Sequence, residues 1–336
     1  MKIDWDSLGF EARPAPRMFV AEFRNGSWNR GRTVDYGPLA LEPAAGILNY
    51  GQGLFEGMKA YRTRDGRIVM FRPEANARRL NDGCRRLCMP ELEEGFFVES
   101  IAALVRESRD YVPPFEKGDL YIRPILFGSG PVLGVNPAPS YTFCVFTSPV
   151  GPYFKSGFSG IRVEIKEDFH RAPLAGTGAV KAVGNYATSL LPKRLVKARG
   201  RDEVLYLDAR QSRYVEEVGS ANVFVLKGDA IATPRLRGSI LPGVTRDAIL
   251  RLAESRFGLE AEERDIGFEE LFEADELFCT GTAAVITPIL SVFHREVEHP
   301  IGNAAPGART TALYRELKGI QLGEKPDGFG WIYEIG

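Results

Sequence analysis

The chain has 336 residues, a formal net charge of −1, 44% hydrophobic residues and 26% charged ones. A chain of this length and composition can bury its own core without disulfide or metal staples, and its length suggests two domains. Near-zero charge gives no reason to expect nucleic acid or an anionic membrane as partner, and no run approaches the roughly 20 apolar residues of a membrane-spanning helix.

Residues 19–24 read as a strand. Residues 54–62 and 68–71 read as a strand pair joined by the turn Arg64-Asp65-Gly66. Pro73 opens a helix that runs to about Cys88. A second helix fits 98–111, where Ile101, Leu104, Val105 and Ser108 share one face. Strands follow at 120–127 and 141–147. The run Ser148-Pro149-Val150-Gly151-Pro152-Tyr153, with two prolines and a glycine near the midpoint, has the composition of a linker.

The second half resumes with a strand at 161–165, a Gly/Ala-rich loop at 172–183 and a helix at 187–198. Strands at 203–208 and 222–226 come next, then a helix at 245–257 behind Pro242-Gly243. A strand at 276–279 and a helix at 309–320 complete the pattern. It is mixed α/β, without the regular alternation of a doubly wound sheet. The expected division is a small N-terminal α/β domain (1–150), a linker (151–160) and a larger C-terminal domain (161–336).

Four scattered cysteines do not form a disulfide framework, and Cys84 and Cys88 are expected to be partly buried packing residues. None of the three histidines has a second His or Cys at metal-ligand spacing, so no metal site is expected. The opening Met1-Lys2-Ile3-Asp4-Trp5-Asp6 resembles neither a signal peptide nor a transit peptide. The expected location is the cytoplasm, or an organelle reached by a transit peptide since removed.

Lys181 lies in Gly176-Thr177-Gly178-Ala179-Val180-Lys181-Ala182-Val183-Gly184-Asn185-Tyr186, where small neighbours let a ligand approach its amine. Lysine amines form Schiff bases with carbonyls, but a solvated lysine on a flexible loop has the same composition. Glu216 and Glu217 are adjacent in a strand-like segment, so one can face inward and need a cationic partner while the other faces water. Leu241-Pro242-Gly243-Val244-Thr245-Arg246 leads into a helix whose N-terminus attracts phosphate. Thr280-Gly281-Thr282-Ala283 is a second loop rich in amides and hydroxyls. Tyr50, Phe55, Tyr121 and Arg123 combine aromatics with a carboxylate-binding arginine.

Taken together, these segments resemble the branched-chain aminotransferases of pyridoxal-phosphate fold type IV, the D-amino-acid-aminotransferase-like fold. The resemblance rests on the run from Tyr50 through Glu56-Gly57 to Tyr61, on Phe71-Arg72-Pro73, Tyr121-Ile122-Arg123-Pro124 and Gly151-Pro152-Tyr153-Phe154. It continues in the Lys181 loop, Glu217-Val218-Gly219-Ser220, Leu241 to Arg246, and Gly281-Thr282-Ala283. These eight segments stand in the family's order and span nearly the whole chain. The likeness is greatest to the longer, eukaryotic-like branch that includes plant enzymes.

The resemblance implies pyridoxal 5'-phosphate as cofactor, with Lys181 as its Schiff-base lysine and proton shuttle. It implies that Tyr186 bonds the phenolic oxygen and Glu217 the pyridine nitrogen, and that Arg79, Val244, Thr245 and Thr282 hold the phosphate. Ser220 and Ala283 fall where the substrate α-carboxylate binds, and Tyr50, Phe55, Tyr121, Arg123 and Tyr153 in the substrate pocket. The implied reaction moves the amino group of L-leucine, L-isoleucine or L-valine to 2-oxoglutarate, giving L-glutamate, in a homodimer. Rival implications are a D-amino-acid aminotransferase, an aminodeoxychorismate lyase, or a non-catalytic protein that kept the fold. The Cys-x-x-Cys that some members carry after the Gly-Thr-Ala loop is replaced by Ala284 and Thr287, so no redox switch of that kind is expected.

Overall fold

The computed structural model describes residues 3–154 and 157–336. Lys155 and Ser156, within the expected linker, and Met1 and Lys2 lie outside the described residues. The chain divides into two compact units. One comprises the described part of Met1–Pro152 together with Val180–Val183 and Gly319–Gly336. The other comprises Tyr153–Ala179 and Gly184–Lys318. The second domain was expected to run unbroken from 161 to the C-terminus; instead the C-terminal strand Ile332–Ile335 pairs with Ile68–Phe71 of the first unit.

The first unit is one antiparallel sheet with helices. Its strands are β1 (Arg17–Arg24), β2 (Ser27–Trp28), β3 (Arg32–Asp35), β4 (Gly53–Phe55), β5 (Met58–Arg62), β6 (Ile68–Phe71), β7 (Asp119–Gly128) and β8 (Tyr141–Val150). The order is C-terminal strand, β6, β5, β7, β8, β1, β2, with β3 also on β1 and β4 also on β7. The helices are α1 (Gly46–Tyr50), α2 (Pro73–Arg86) and α3 (Glu94–Glu107). Leu54, Ile101, Leu120, Ile122 and Phe143 are fully buried in its core. At Gly83 of α2 an added Cβ would come within 2.7 Å of Leu54, so glycine sets how closely helix and sheet approach.

The continuous strand expected at 54–62 is broken between β4 and β5. Gly57 sits at the break, where a Cβ would stand 2.3 Å from the Tyr121 hydroxyl, and Glu56 is buried completely. The second expected helix starts a turn earlier, at Glu94, and its last residues, Arg109–Tyr111, form a separate 3-10 turn.

The second unit contains β9 (Ile161–Lys166), β10 (Glu203–Leu207), β11 (Val215–Val218), β12 (Ala221–Lys227), β13 (Ala230–Pro234), β14 (Glu260–Arg264), β15 (Glu276–Gly281), β16 (Val285–His294) and β17 (Val297–Pro300). Its helices are α4 (Gly184–Ala187), α5 (Leu190–Ala198), α6 (Val244–Phe257) and all but the last three residues of α7 (Ala308–Gln321). The order β11-β10-β9-β16-β15-β12 closes on itself through a β11–β12 pairing, while β13 and β14 extend outward from β12. Closure removes the free edges that an open sheet would expose. Val163, Leu205, Val223, Cys279 and Val292 form its buried core. The helix expected at 187–198 is two pieces, α4 and α5.

Candidate active site

Lys181 belongs to the short stretch Val180–Val183 that the chain contributes to the first unit. This stretch is held as an extra rung on β4: the Phe55 amide donates to the Lys181 carbonyl (3.2 Å) and the Val183 amide to the Gly53 carbonyl (3.1 Å). The Lys181 Nζ stands 4.7 Å from the centre of the Phe55 ring. The Arg123 guanidinium stands 4.8 Å from that same ring and 5.1 Å from the Tyr121 ring, and its Nη2 donates to the Tyr121 hydroxyl at 2.9 Å. Contacts of cations with aromatic faces fix the geometry of long side chains at modest energetic gain. The first unit thus gathers Lys181, Phe55, Tyr121 and Arg123. Tyr50 is not joined to them; it is 41% exposed at the end of α1, and its hydroxyl donates to the Leu133 carbonyl.

Glu56 lies beside this group. Its carboxylate accepts Arg79 Nε (2.8 Å) and Nη2 (2.7 Å) side-on, and Asn76 Nδ2 at 2.7 Å. Burial alone would raise the Glu56 pKa, but the Arg79 guanidinium, with lesser help from Lys181 and Asn76, outweighs it and holds the group below the usual carboxylate range. Arg79, expected at a phosphate, is therefore anchored by Glu56. The sequence reading assigned no role to Glu56 or Asn76, although Glu56 stands inside one of the quoted segments.

In the second unit, Glu217 lies on β11 and is buried. Arg171 Nε is 2.5 Å from its Oε2, and Asn222 Nδ2 donates to Oε1 at 3.2 Å. Arg171 Nη1 also donates to the carbonyls of Ser239 (2.9 Å) and Gly178 (3.3 Å), tying the glutamate to two loops. Asn222 donates to the Leu241 carbonyl as well, at 3.0 Å. Gly243 follows, and a Cβ there would collide with Asn222 Oδ1 at 2.1 Å. Gly243 precedes α6 and supplies no side-chain cap, so Val244 and the buried Thr245 begin the helix as an anion-attracting terminus.

The expectation that one of the two β11 glutamates faces water is wrong: Glu216 is 6% exposed and Glu217 1%. All four residues of β11 are buried, because the strand lies inside a closed sheet rather than at an edge. Burial pushes Glu216 up to about 7, opposed by a hydrogen bond from the Ser239 hydroxyl and assisted by the charge of Glu217. Cys84 is buried but Cys88 is exposed, past the end of α2 at a positive φ of 52°, so only Cys84 packs.

Of the other expected residues, Tyr186 lies in α4. The preceding Asn185 clamps Thr177, accepting from its hydroxyl (2.6 Å) and donating to its carbonyl (2.7 Å). Ser220 is exposed in the β11–β12 turn, and Thr282 and Ala283 occupy the β15–β16 turn. The Tyr153 hydroxyl accepts from Lys193 Nζ at 3.5 Å, and Lys193 pairs with buried Glu203 at 2.5 Å. Arg171, Asn222 and Lys193 escaped the sequence reading. Asn222 stands two residues after the Glu217-Val218-Gly219-Ser220 segment, whereas nothing near Arg171 in sequence signals its partner.

Among the described residues, no helix is long and apolar enough to cross a membrane, and no group of His, Cys, Asp and Glu side chains could hold a metal ion.

The amino-transferase class IV family model matches residues 53–292. The chain is 45% identical over 335 residues to branched-chain-amino-acid aminotransferase 5, chloroplastic, of Arabidopsis thaliana, covering 99% of this chain and 80% of that protein. Among solved structures, the branched-chain amino acid aminotransferase of Escherichia coli superposes with a TM-score of 0.82 at 28% identity, covering 95% of this chain and 99% of that one. The branched-chain amino acid aminotransferase from Thermobaculum terrenum, in its PLP-bound holo-form, superposes with a TM-score of 0.80 at 25% identity, covering 95% and 98%.

Proposed function

The chain belongs to the class IV aminotransferases, among the branched-chain-amino-acid aminotransferases, and on that premise we propose the following assignment of its reaction to its residues. It moves the amino group of L-leucine, L-isoleucine or L-valine to 2-oxoglutarate, reversibly, with pyridoxal 5'-phosphate as cofactor. The observation that carries this reading is the match of 99% of the chain to a branched-chain aminotransferase, with Lys181 present in the loop that the resemblance assigns to the cofactor. The branched-chain relatives speak against the D-specific and lyase readings, and the presence of Lys181, Tyr186 and Glu217 together speaks against a non-catalytic protein that kept the fold.

The donor set suits a phosphorylated pyridine aldehyde. A primary amine stands at Lys181, a buried carboxylate at Glu217, and a helix start at Val244 whose N-cap residue, Gly243, gives no side-chain cap. When bound, the cofactor supplies an electron sink for the electrons left at Cα after proton removal. Lys181 would hold it through Nζ and, once the substrate's amino group had displaced Nζ from that bond, would take the Cα proton and deliver it. Glu217 keeps a proton on the pyridine nitrogen, and Arg171 and Asn222 keep Glu217 aimed. Tyr186 donates to the phenolic oxygen. Val244, Thr245 and Thr282 would complete a cradle of donors for the phosphate, which Arg79, held by Glu56, would also meet. Ser220 and Ala283 receive the substrate α-carboxylate. Phe55, Tyr50, Tyr121 and Tyr153 pack the aliphatic side chain, while Arg123, steadied by Tyr121, meets the second carboxylate of 2-oxoglutarate.

The expected division 1–150 and 161–336 is kept only in part: Glu217, Val244, Thr245 and Thr282 lie in the second unit, whereas Lys181 and residues 319–336 belong to the first. A homodimer is part of the proposal. Its support is exposed apolar surface in each unit: Leu133 is 92% and Val135 87% exposed in one, Leu190 70% in the other. Sedimentation equilibrium tests it, a monomer at micromolar concentration counting against. A cytoplasmic location is proposed too, against organellar placement of the kind named for the chloroplastic relative; cell fractionation decides between them.

The reaction is tested by the visible spectrum of the purified protein. A yellow band that bleaches with L-leucine and returns with 2-oxoglutarate is expected. A yellow protein indifferent to L-leucine, or a chain that stays colourless when the cofactor is added, overturns the reading.

A further inference from the structure

Glu216 is a buried ionisable group that the proposed reaction leaves unused, and it forms part of the wall of a cavity. The cavity has a volume of about 340 Å³ and lies wholly within the second unit, lined from the 173–174 loop, the 208–216 turn and strand, the 234–240 loop and Asp265. That volume is at the lower end of sites for small molecules. None of the residues assigned above to cofactor or substrate lines it.

The chemistry of the lining is specific. Glu216 is 6% exposed, its Oε1 accepts from Ser239, and its Oε2 has no hydrogen-bond partner among the described residues. A buried carboxyl oxygen in that condition costs free energy that a donor in the cavity removes. The other two acids of the lining are already occupied. Asp208 accepts the amides of Arg210, Gln211, Arg213 and Tyr214, and Asp265 pairs with Arg235 and Arg237. Arg210, exposed on the turn, forms no ion pair among the described residues. Leu174 and Ile240 supply aliphatic wall between the polar groups.

We propose that this cavity is a second small-molecule site for a free aliphatic α-amino acid, whose ammonium meets Glu216 Oε2, whose carboxylate meets Arg210, and whose side chain packs on Leu174 and Ile240. An ammonium and a carboxylate on one small molecule answer both the buried, partnerless Glu216 Oε2 and the exposed cation of Arg210, and neither a simple acid nor a simple amine answers both. The site lies one residue along β11 from Glu217, so its occupant fixes a second carboxylate charge next to that residue.

The charge state gives the site a pH signature. The Ser239 hydroxyl and the charges of Glu217, Arg171 and Asp208 act on Glu216, with Arg210, Tyr214, Arg235, Arg237 and Asp265 around the same cavity, and burial holds it at about 7. A bound ammonium favours the carboxylate and expels its proton, so affinity rises with pH through 7 and levels off above it.

The test is calorimetric titration of L-leucine into holoenzyme whose cofactor has been fixed to Lys181 by borohydride, which removes turnover from the measurement. Peptide mass mapping of the modified lysine is done first, so a failure of the Lys181 reading is seen separately. One L-leucine per chain is expected, bound about tenfold more weakly at pH 6 than at pH 8. Glu216→Gln and Arg210→Ala should each weaken it at least about tenfold. At the site lost in Arg210→Ala, isopentylamine should bind weakly and 4-methylpentanoate not at all. If Glu216→Gln does not fold, Arg210→Ala, on an exposed turn, decides alone. No binding to the fixed enzyme, or binding indifferent to Arg210→Ala, overturns the proposal.

Discussion

Each unit contains a buried arginine–glutamate pair, and the two are built differently. In the first, Arg79 grips Glu56 side-on with two N–H groups while Asn76 takes a third lone pair, all from the first turns of α2 onto the β4–β5 break. In the second, Arg171 reaches Glu217 with Nε and spends Nη1 on the carbonyls of Gly178 and Ser239. The first pair joins one element to another; the second joins a strand to two loops. A closed side-on pair holds an arginine in place, whereas a pair spread over loops holds a carboxylate in place. The pairs therefore predict different injuries when broken.

The largest effect is expected at Glu217. On the proposed assignment, Glu217→Gln would take from the pyridine nitrogen the carboxylate that would keep it protonated, and kcat should fall by roughly 10²–10⁴-fold, the range for a lost acid–base group. The yellow colour should persist, because Lys181 is untouched. A variant that keeps kcat within about threefold of the wild type on this scale would remove Glu217 from the chemistry and leave it a packing residue like Glu56.

Glu56→Gln should do the reverse. It strands a buried guanidinium without its counter-charge, which costs about 3–5 kcal/mol of stability. The urea midpoint should drop with the slope unchanged, and any loss of cofactor affinity should follow from a displaced Arg79. A loss under about 1 kcal/mol would mean that Arg79 finds another anion, and the contrast between the pairs would narrow.

The sequence carried much of this, unevenly. The α2 helix was legible because Pro73 marks its start, and α6 because Pro242-Gly243 precede it. The closing of six strands into a ring was not, since pairing β11 with β12 depends on contacts that no local period encodes. The same blindness produced the error at Glu216: alternation predicts one buried side only when a strand has a wet face, and β11 has none. Lys181 and Glu217 stand out through motifs. Arg171 does not, because its partner is distant in sequence and the arginine itself sits in an unremarkable loop.

That error yields the next prediction. Glu216 is raised from its ordinary 4.5 to about 7, so between those values the folded chain keeps a proton that the unfolded chain has released. Stability contributed here falls as pH rises through that window, and the full burden, up to about 3 kcal/mol, is present above pH 7. Glu216→Gln removes the titration. Urea unfolding at pH 5 and pH 8 should show the variant gaining on the wild type only at pH 8. An equal difference at both values would place the ordinary carboxylate, not a proton-holding one, at Glu216, and β11 would then carry two like-behaved acids.

The smallest effect separates the two halves of the reaction at Arg123. Its guanidinium is braced by the Phe55 and Tyr121 rings and by the Tyr121 hydroxyl, which fixes its direction. A branched aliphatic side chain has nothing for that charge to bind, whereas the distal carboxylate of 2-oxoglutarate does. Arg123→Met keeps the length and apolar body of the side chain and removes only the fork. The KM for 2-oxoglutarate should rise about tenfold, roughly the worth of one charge-assisted hydrogen bond, with KM for L-leucine nearly unchanged. Equal rises for both substrates would show that Arg123 shapes the pocket as the Arg79–Glu56 pair shapes its helix, by packing rather than by recognition. The comparison between holding and recognising would then have to be drawn inside the first unit alone.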